Sequence, residues 1–183
     1  MRSVSGDARR ERFEALAPSL VDPLRRYLAR RTDPATADDV LAETLLVCWR
    51  RLDELPDDPL PWSYGVARNC LANAQRGVRR QERLAARIAV VDPPAATAPG
   101  PGDVGDPDLI EALAALREKD AELLRLWAWE QLTPAEIAEV LGITPNAASI
   151  RLHRAREKLR GQLTSGKTSD PSGHEETNER RRT

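Results

Sequence analysis

At 183 residues with a formal net charge of −1, the chain has room for one medium domain or two small ones. Aromatic residues make up only 4% of it, and alanine, leucine and arginine are abundant, so helices are expected in place of sheet. No apolar run approaches membrane-spanning length, and no long apolar core follows the first arginines, which argues against membrane insertion and a secretory signal.

The near-neutral total conceals uneven charge. Residues 62–89 carry Arg68, Arg76, Arg79, Arg80, Arg83 and Arg87 against Glu82 alone, and residues 89–108 carry Asp92, Asp103, Asp106 and Asp108 with no base. Basic patches separated by an acidic stretch suit contact with a polyanion. Cys48 and Cys70 lie in separate helical patterns without a CxxC or a nearby histidine, as expected of buried thiols in a reducing compartment. His153 and His174 have no metal-ligand company, so neither a metal nor a cofactor is expected.

In chain order, residues 1–10 are polar and expected to fray. Phe13, Leu16, Leu20, Leu24 and Leu28 then recur at helical spacing, interrupted by Pro18 and Pro23, which predicts one bent helix or two short ones. Thr36 and Asp39 form a candidate capping box opening a helix to about Leu52, with Val40, Leu41, Thr44, Leu45 and Cys48 inward. The stretch DELPDDPLP over 53–61 predicts a stiff acidic loop, with a helix starting at Trp62 and burying Val66, Ala67, Cys70, Leu71 and Ala74. Gly77 weakens that helix. Residues 90–105 are rich in Pro, Ala and Gly and predict a flexible linker. Asp106 and Pro107 open a helix with Leu109, Ile110, Leu113 and Leu116. Another follows near Asp120, with Leu123, Leu124, Leu126 and Trp127 inward. Residues 164–183 are polar and expected to be disordered.

The stretch over 132–163 is the most specific. Thr133, Pro134 and Glu136 make a capping box with proline at the first helical position, and Thr144 with Pro145 repeats the start signal. Ile137, Val140 and Leu141 mark an inner face, and Gly142 sits where a helix commonly ends in a left-handed residue. The apolar set continues as Ala148, Ile150, Leu152, Ala155 and Leu159. Two short helices joined by a glycine turn form a helix-turn-helix, whose second helix can enter the major groove of DNA. That helix carries Arg151, Arg154, Arg156, Lys158 and Arg160 against Glu157 alone, which supports groove reading with phosphate contacts.

The blocks DDVLAETLLVCWR and PWSYGVARNCLANAQRGVRR, followed by AELLRLWAWEQLTPAEIAEVLGITPNAASIRLHRAREKL, resemble the extracytoplasmic-function group of bacterial sigma factors. The likeness spans about Phe13 to Leu163. It implies an all-α protein of two small helical domains joined by a flexible linker, with the helix-turn-helix in the second. The expected division is 11–89 for core polymerase and minus-ten binding, 90–106 for the linker, 107–163 for minus-thirty-five binding, and 164–183 for the tail. The domains are expected to fold separately and to move relative to each other.

The resemblance implies no catalytic activity. It implies binding to core RNA polymerase, delivery to promoter DNA and assistance in opening it. An anti-sigma factor is a further expected partner, the free protein is expected to be a monomer, and its place is the cytoplasm. Polymerase docking is assigned to Asp39, Glu43 and Trp49, with Ala42 standing where glutamine is common. Asn69 matches a position that helps hold a displaced minus-ten base, with Arg76, Arg79 and Arg80 on phosphates. Thr144, Ser149, Arg151, His153 and Arg154 are assigned to the minus-thirty-five element. Ser149 and Ile150 replace the family's usual basic residue and serine, which implies different base contacts. The alternative is a helix-turn-helix regulator with a helical N-terminal effector or interaction domain.

Overall fold

The computed structural model describes residues 3–88 and 107–167, which form seven α-helices and no strand. They are α1 (Ser3–Ala29), α2 (Pro34–Arg50), α3 (Pro59–Ile88), α4 (Pro107–Ala114), α5 (Glu118–Ala128), α6 (Pro134–Leu141) and α7 (Pro145–Lys167). The expected linker over 90–106 and the tail beyond residue 167 lie outside the described residues. Between 164 and 167 the expected tail is helical, as the end of α7.

Pro18 and Pro23 do not divide the first helix, which runs through both. An internal proline costs roughly 3 kcal/mol through a lost hydrogen bond and a crowded turn. Against that, Leu20, Leu24, Tyr27 and Leu28 are all fully buried on one face of α1. Burial of such side chains contributes about 1.5–3 kcal/mol apiece, enough to carry the helix across both sites. The polar N-terminal segment is also helical from Ser3, contrary to expectation. Arg9 fastens it, donating to the Trp49 carbonyl at 2.8 Å, the Arg50 carbonyl at 3.1 Å and Asp53 Oδ2 at 2.9 Å. One side chain thereby donates to two carbonyls of the last turn of α2, where the helix runs out of its own donors.

The start of α2 is earlier than the expected Thr36 box. Asp33 is the cap, its carboxylate accepting from Thr36 N at 3.0 Å, with Pro34 at the first position. That bond holds the Asp33 carboxyl below its ordinary pKa. The expected loop over 53–61 is mostly ordered differently. Leu52–Glu54 form a 3₁₀ turn anchored by the fully buried Leu52, and α3 begins at Pro59, before Trp62. Pro59 and Pro61 both fall in the first helical turn, where no intrahelical N–H is required of them. Gly77 does not end α3, which continues to Ile88.

Helices α1, α2 and α3 form the first layer of packing. Ala37, Val40, Leu41 and Cys48 of α2 and Tyr64, Ala67, Cys70 and Leu71 of α3 belong to one buried cluster with α1. Both cysteines are free thiols, and burial pushes both up from the usual thiol pKa. The second block, α4 to α7, adds Leu113, Leu123, Leu124, Leu126, Ile137, Val140, Leu152 and Ala155 to the same cluster. The blocks meet where α3 crosses α6, at Gly65. A Cβ there would stand 3.6 Å from Val140 Cα and from its carbonyl oxygen, at ordinary van der Waals contact, so the two backbones cross closely. Trp127 departs from expectation. It points outward, with the Arg156 guanidinium 4.6 Å from its ring centroid, because Leu123, Leu124 and Leu126 already fill the inner face of α5.

Candidate nucleic-acid interface

The turn of the helix-turn-helix is built as its residues dictate. Thr133 Oγ1 accepts from Glu136 N while the Glu136 carboxylate accepts from Thr133 N at 2.6 Å, which closes the capping box. Gly142 takes φ 63°, ψ 40°, the left-handed conformation that ends α6, and Ile143 N donates to the Ala138 carbonyl oxygen at 3.0 Å. Thr144 Oγ1 then accepts from Ala147 N at 3.2 Å and starts α7. Ala148, Leu152 and Ala155 are buried against α6 and its neighbours. That stripe turns Ser149, Arg151, His153 and Arg154 outward, all exposed.

Ile150 belongs with them and not with the core, where the apolar set had put it. It is 44% exposed, because it lies off the 3.6-residue stripe of 148, 152, 155 and 159. An exposed isoleucine among arginines on a groove-sized helix suits contact with a thymine methyl group. The basic residues of α7 are not equivalent. Arg156 stacks on Trp127, Lys158 pairs with Asp120 at 2.6 Å and Arg160 pairs with Glu157. Arg151 and Arg154 make no ion pair among the described residues. They are the cations left free for a ligand.

On α3, Asn69, Arg76, Arg79 and Arg80 are all exposed. Asn69, Arg76 and Arg80 follow at seven and then four residues, which puts them on one helical face. Arg76 is steadied by Asn73 Oδ1 and by the Ala72 carbonyl at 3.2 Å. Trp62, at the start of this helix, packs against the core.

On α2, Asp39 and Glu43 are exposed one turn apart, and Leu46, 45% exposed, continues the same side of the helix. Leu46 escaped the sequence reading because it sits among true core leucines. Trp49 is half-buried. Its ring meets Phe13 edge-on at 5.4 Å between centroids, and Arg9 lies over it at 5.3 Å. The three docking candidates thus share a helix, but Trp49 is largely engaged within the protein.

The network that joins the blocks has no local sequence signal. Arg30 and Arg31, just past α1, pair with Glu130 and Glu122 about a hundred positions away. Arg30 also lies over the Trp129 ring at 5.4 Å. Tyr27 and Tyr64 pack together beneath, 5.1 Å between centroids.

Residues 107–159 match the family model described as Sigma-70, region 4. The RNA polymerase sigma factor CarQ of Myxococcus xanthus is 32% identical over 164 residues, spanning 86% of this chain and 92% of that protein. The ECF RNA polymerase sigma factor SigL of Mycobacterium tuberculosis is 32% identical over 169 residues, spanning 87% and 94%. Among solved structures, the sigma factor RpoE in complex with the anti-sigma factor NepR from Bartonella quintana shares the fold. Its TM-score is 0.59 at 21% identity, with 82% of this chain and 98% of that chain covered. CnrH in complex with the cytosolic domain of CnrY gives a TM-score of 0.55 at 24% identity, with 84% and 88% covered.

Proposed function

The chain belongs to the extracytoplasmic-function RNA polymerase sigma factors, and from that membership we propose how its exposed residues divide the work of initiation. A sigma factor binds core RNA polymerase, directs it to promoters and promotes opening of the DNA. In this chain α7 reads the minus-thirty-five element, with Arg151 and Arg154 as the unpaired cations and Ser149, Ile150 and His153 beside them. Thr144 caps the helix and offers its hydroxyl proton to a phosphate. Asn69 holds a displaced base of the minus-ten element, and Arg76, Arg79 and Arg80 neutralise the strand.

Asp39, Glu43 and Leu46 dock on the polymerase, with Trp49 at the edge of that surface. Residues 11–89 and 107–163 act as two functional units connected through 90–106. No residue is assigned a catalytic role, and the protein acts in the cytoplasm as a monomer when free. We add an anti-sigma factor as a third partner. Its support is that the fold is shared with a sigma factor solved in complex with an anti-sigma factor. No helix among the described residues is long and apolar enough to cross a membrane.

The observation that carries the assignment is the α6–α7 helix-turn-helix, with Arg151 and Arg154 outward and free of ion pairs among the described residues and its turn closed by Thr133, Gly142 and Thr144. Run-off transcription with core polymerase on genomic fragments tests it. Promoter-specific transcripts are expected only when the protein is added. An ordinary regulator would instead bind DNA without conferring initiation on core polymerase.

A further inference from the structure

The contact between the two blocks is held by charges that neither could keep buried alone. Arg30 Nη2 meets both oxygens of Glu130 at 2.8 Å. Arg31 Nη1 lies 3.3 Å from Glu130 Oε1, and its Nη2 lies 3.4 Å from both oxygens of Glu122. The Arg31 and Glu130 side chains are 8% and 3% exposed. Yet Nε of Arg30 and Nε of Arg31 are buried with no hydrogen-bond partner among the described residues. A buried ionic network left partly unsatisfied is a poor source of stability compared with apolar packing. Its presence calls for another reason.

The acids offer one. Arginine binds carboxylates and phosphates through the same two-pronged geometry, so a carboxylate can occupy a phosphate site. A cleft of about 380 Å³ opens beside the network, lined by Arg30, Arg31, Arg68 and Glu122 among others. Arg68 makes no ion pair among the described residues. On α3 it shares the cleft-facing side with Leu71 and Gln75, and Arg79 follows on that side eleven residues later, so the arginine cluster extends along α3 beside the face proposed to hold the minus-ten strand.

We propose that Arg30, Arg31 and Arg68 form a binding site for backbone phosphates of promoter DNA, which Glu122 and Glu130 occupy as phosphate surrogates in the free protein. The inference rests on the sigma-factor reading above. Acids and phosphates compete for the same guanidinium groups, so the closed form and the DNA-bound form exclude each other. Promoter geometry requires the blocks to part in any case. Positions minus-ten and minus-thirty-five lie roughly 85 Å apart at about 3.4 Å per base pair, whereas α3 and α6 touch. Residues 89–106 can span at most about 60 Å, enough to let the blocks separate without leaving the chain. Breaking the Arg–Glu network therefore does two things at once: it lets the two exposed reading surfaces take up the promoter spacing and unmasks cations that hold the strand.

Two double variants of the full chain separate this from a merely structural ion pair. Glu122→Gln with Glu130→Gln and Arg30→Gln with Arg31→Gln should both expand the protein in solution scattering, because each removes one side of the network. Only the glutamate pair should tighten binding of a labelled single-stranded oligonucleotide, by about ten-fold at low salt and with a steeper salt dependence, since only it leaves the arginines in place. The arginine pair should bind no tighter than the wild type. Equal effects of the two pairs on DNA binding would overturn the proposal. So would a glutamate pair that stays compact, or one that expands without tighter binding. Glu122→Gln alone, at the more exposed of the two acids, should shift binding in the same direction by less, and no shift would also count against it. Run-off transcription with the wild type is read alongside: its failure would sink the sigma-factor reading, whatever the oligonucleotide binding shows.

Discussion

Gly65 of α3 lies directly on Val140 of α6, where a Cβ would stand 3.6 Å from the Val140 backbone. Gly65→Ala should therefore be accommodated at ordinary contact distance. Gly65→Leu should force α3 and α6 apart, at the roughly 1–3 kcal/mol typical of overpacking. The expected readouts are a larger radius of gyration in solution scattering and faster protease cleavage between residues 90 and 105. A Gly65→Leu protein as compact as the wild type would show that this crossing does not hold the blocks together.

Arg154 and Arg160 sit on the same helix but are not in the same situation. Arg154 is exposed and free of ion pairs among the described residues, whereas Arg160 is paired with Glu157. Arg154→Ala should cost about 1–3 kcal/mol of discrimination between the native promoter and a scrambled minus-thirty-five element, while polymerase binding is retained. Arg160→Ala should lose less, and lose it evenly across sequences. Mobility-shift titrations on the two DNAs measure both. Normal discrimination by Arg154→Ala would mean that α7 is rotated relative to the groove from the orientation proposed.

Asn69→Ala tests strand opening apart from binding. Closed-complex affinity comes mainly from phosphates and the recognition helix, so it should be nearly unchanged. Extruding a base costs a few kcal/mol, and a pocket that has lost its amide should capture it less often. Permanganate reactivity of promoter thymines should fall on duplex DNA and recover on a template already mismatched across the minus-ten region. Equal melting by variant and wild type would leave Asn69 as a surface residue of α3.

Tyr27 and Tyr64 are the only tyrosines in the chain, so phenolate absorbance reports on this pair of buried rings alone. Burial, reinforced by Glu122, raises the Tyr27 phenol, and burial with Glu130 pushes Tyr64 up to about 12 from 10.0. Both folded values lie above the unfolded ones. The stability they reflect is complete below pH 10 and is lost as pH rises through the Tyr64 value. Absorbance at the phenolate band should stay flat through pH 10 in the native protein and rise there only in urea. A normal native titration near pH 10 would mean that the two rings are exposed to solvent in the free protein.

The recognition element was legible in the chain because every signal in it is local. Thr133 with Glu136, Gly142, and Thr144 with Pro145 act within one helical turn, and the alternation of apolar and basic residues on α7 follows helical periodicity. Asp39, Glu43, Asn69, Ser149, Arg151, His153 and Arg154 are all exposed on helices that could be drawn from sequence alone. What local pattern could not decide was set by packing over long separations. Leu20, Leu24, Tyr27 and Leu28 carry α1 through two prolines because they are buried against other helices. Ile150 is turned outward because Ala148, Leu152 and Ala155 already fill the contact. Arg30 and Arg31 find Glu130 and Glu122 about a hundred residues away. A charge pair at that distance leaves no spacing rule in the sequence, since only the fold determines which face of α1 meets which end of α5.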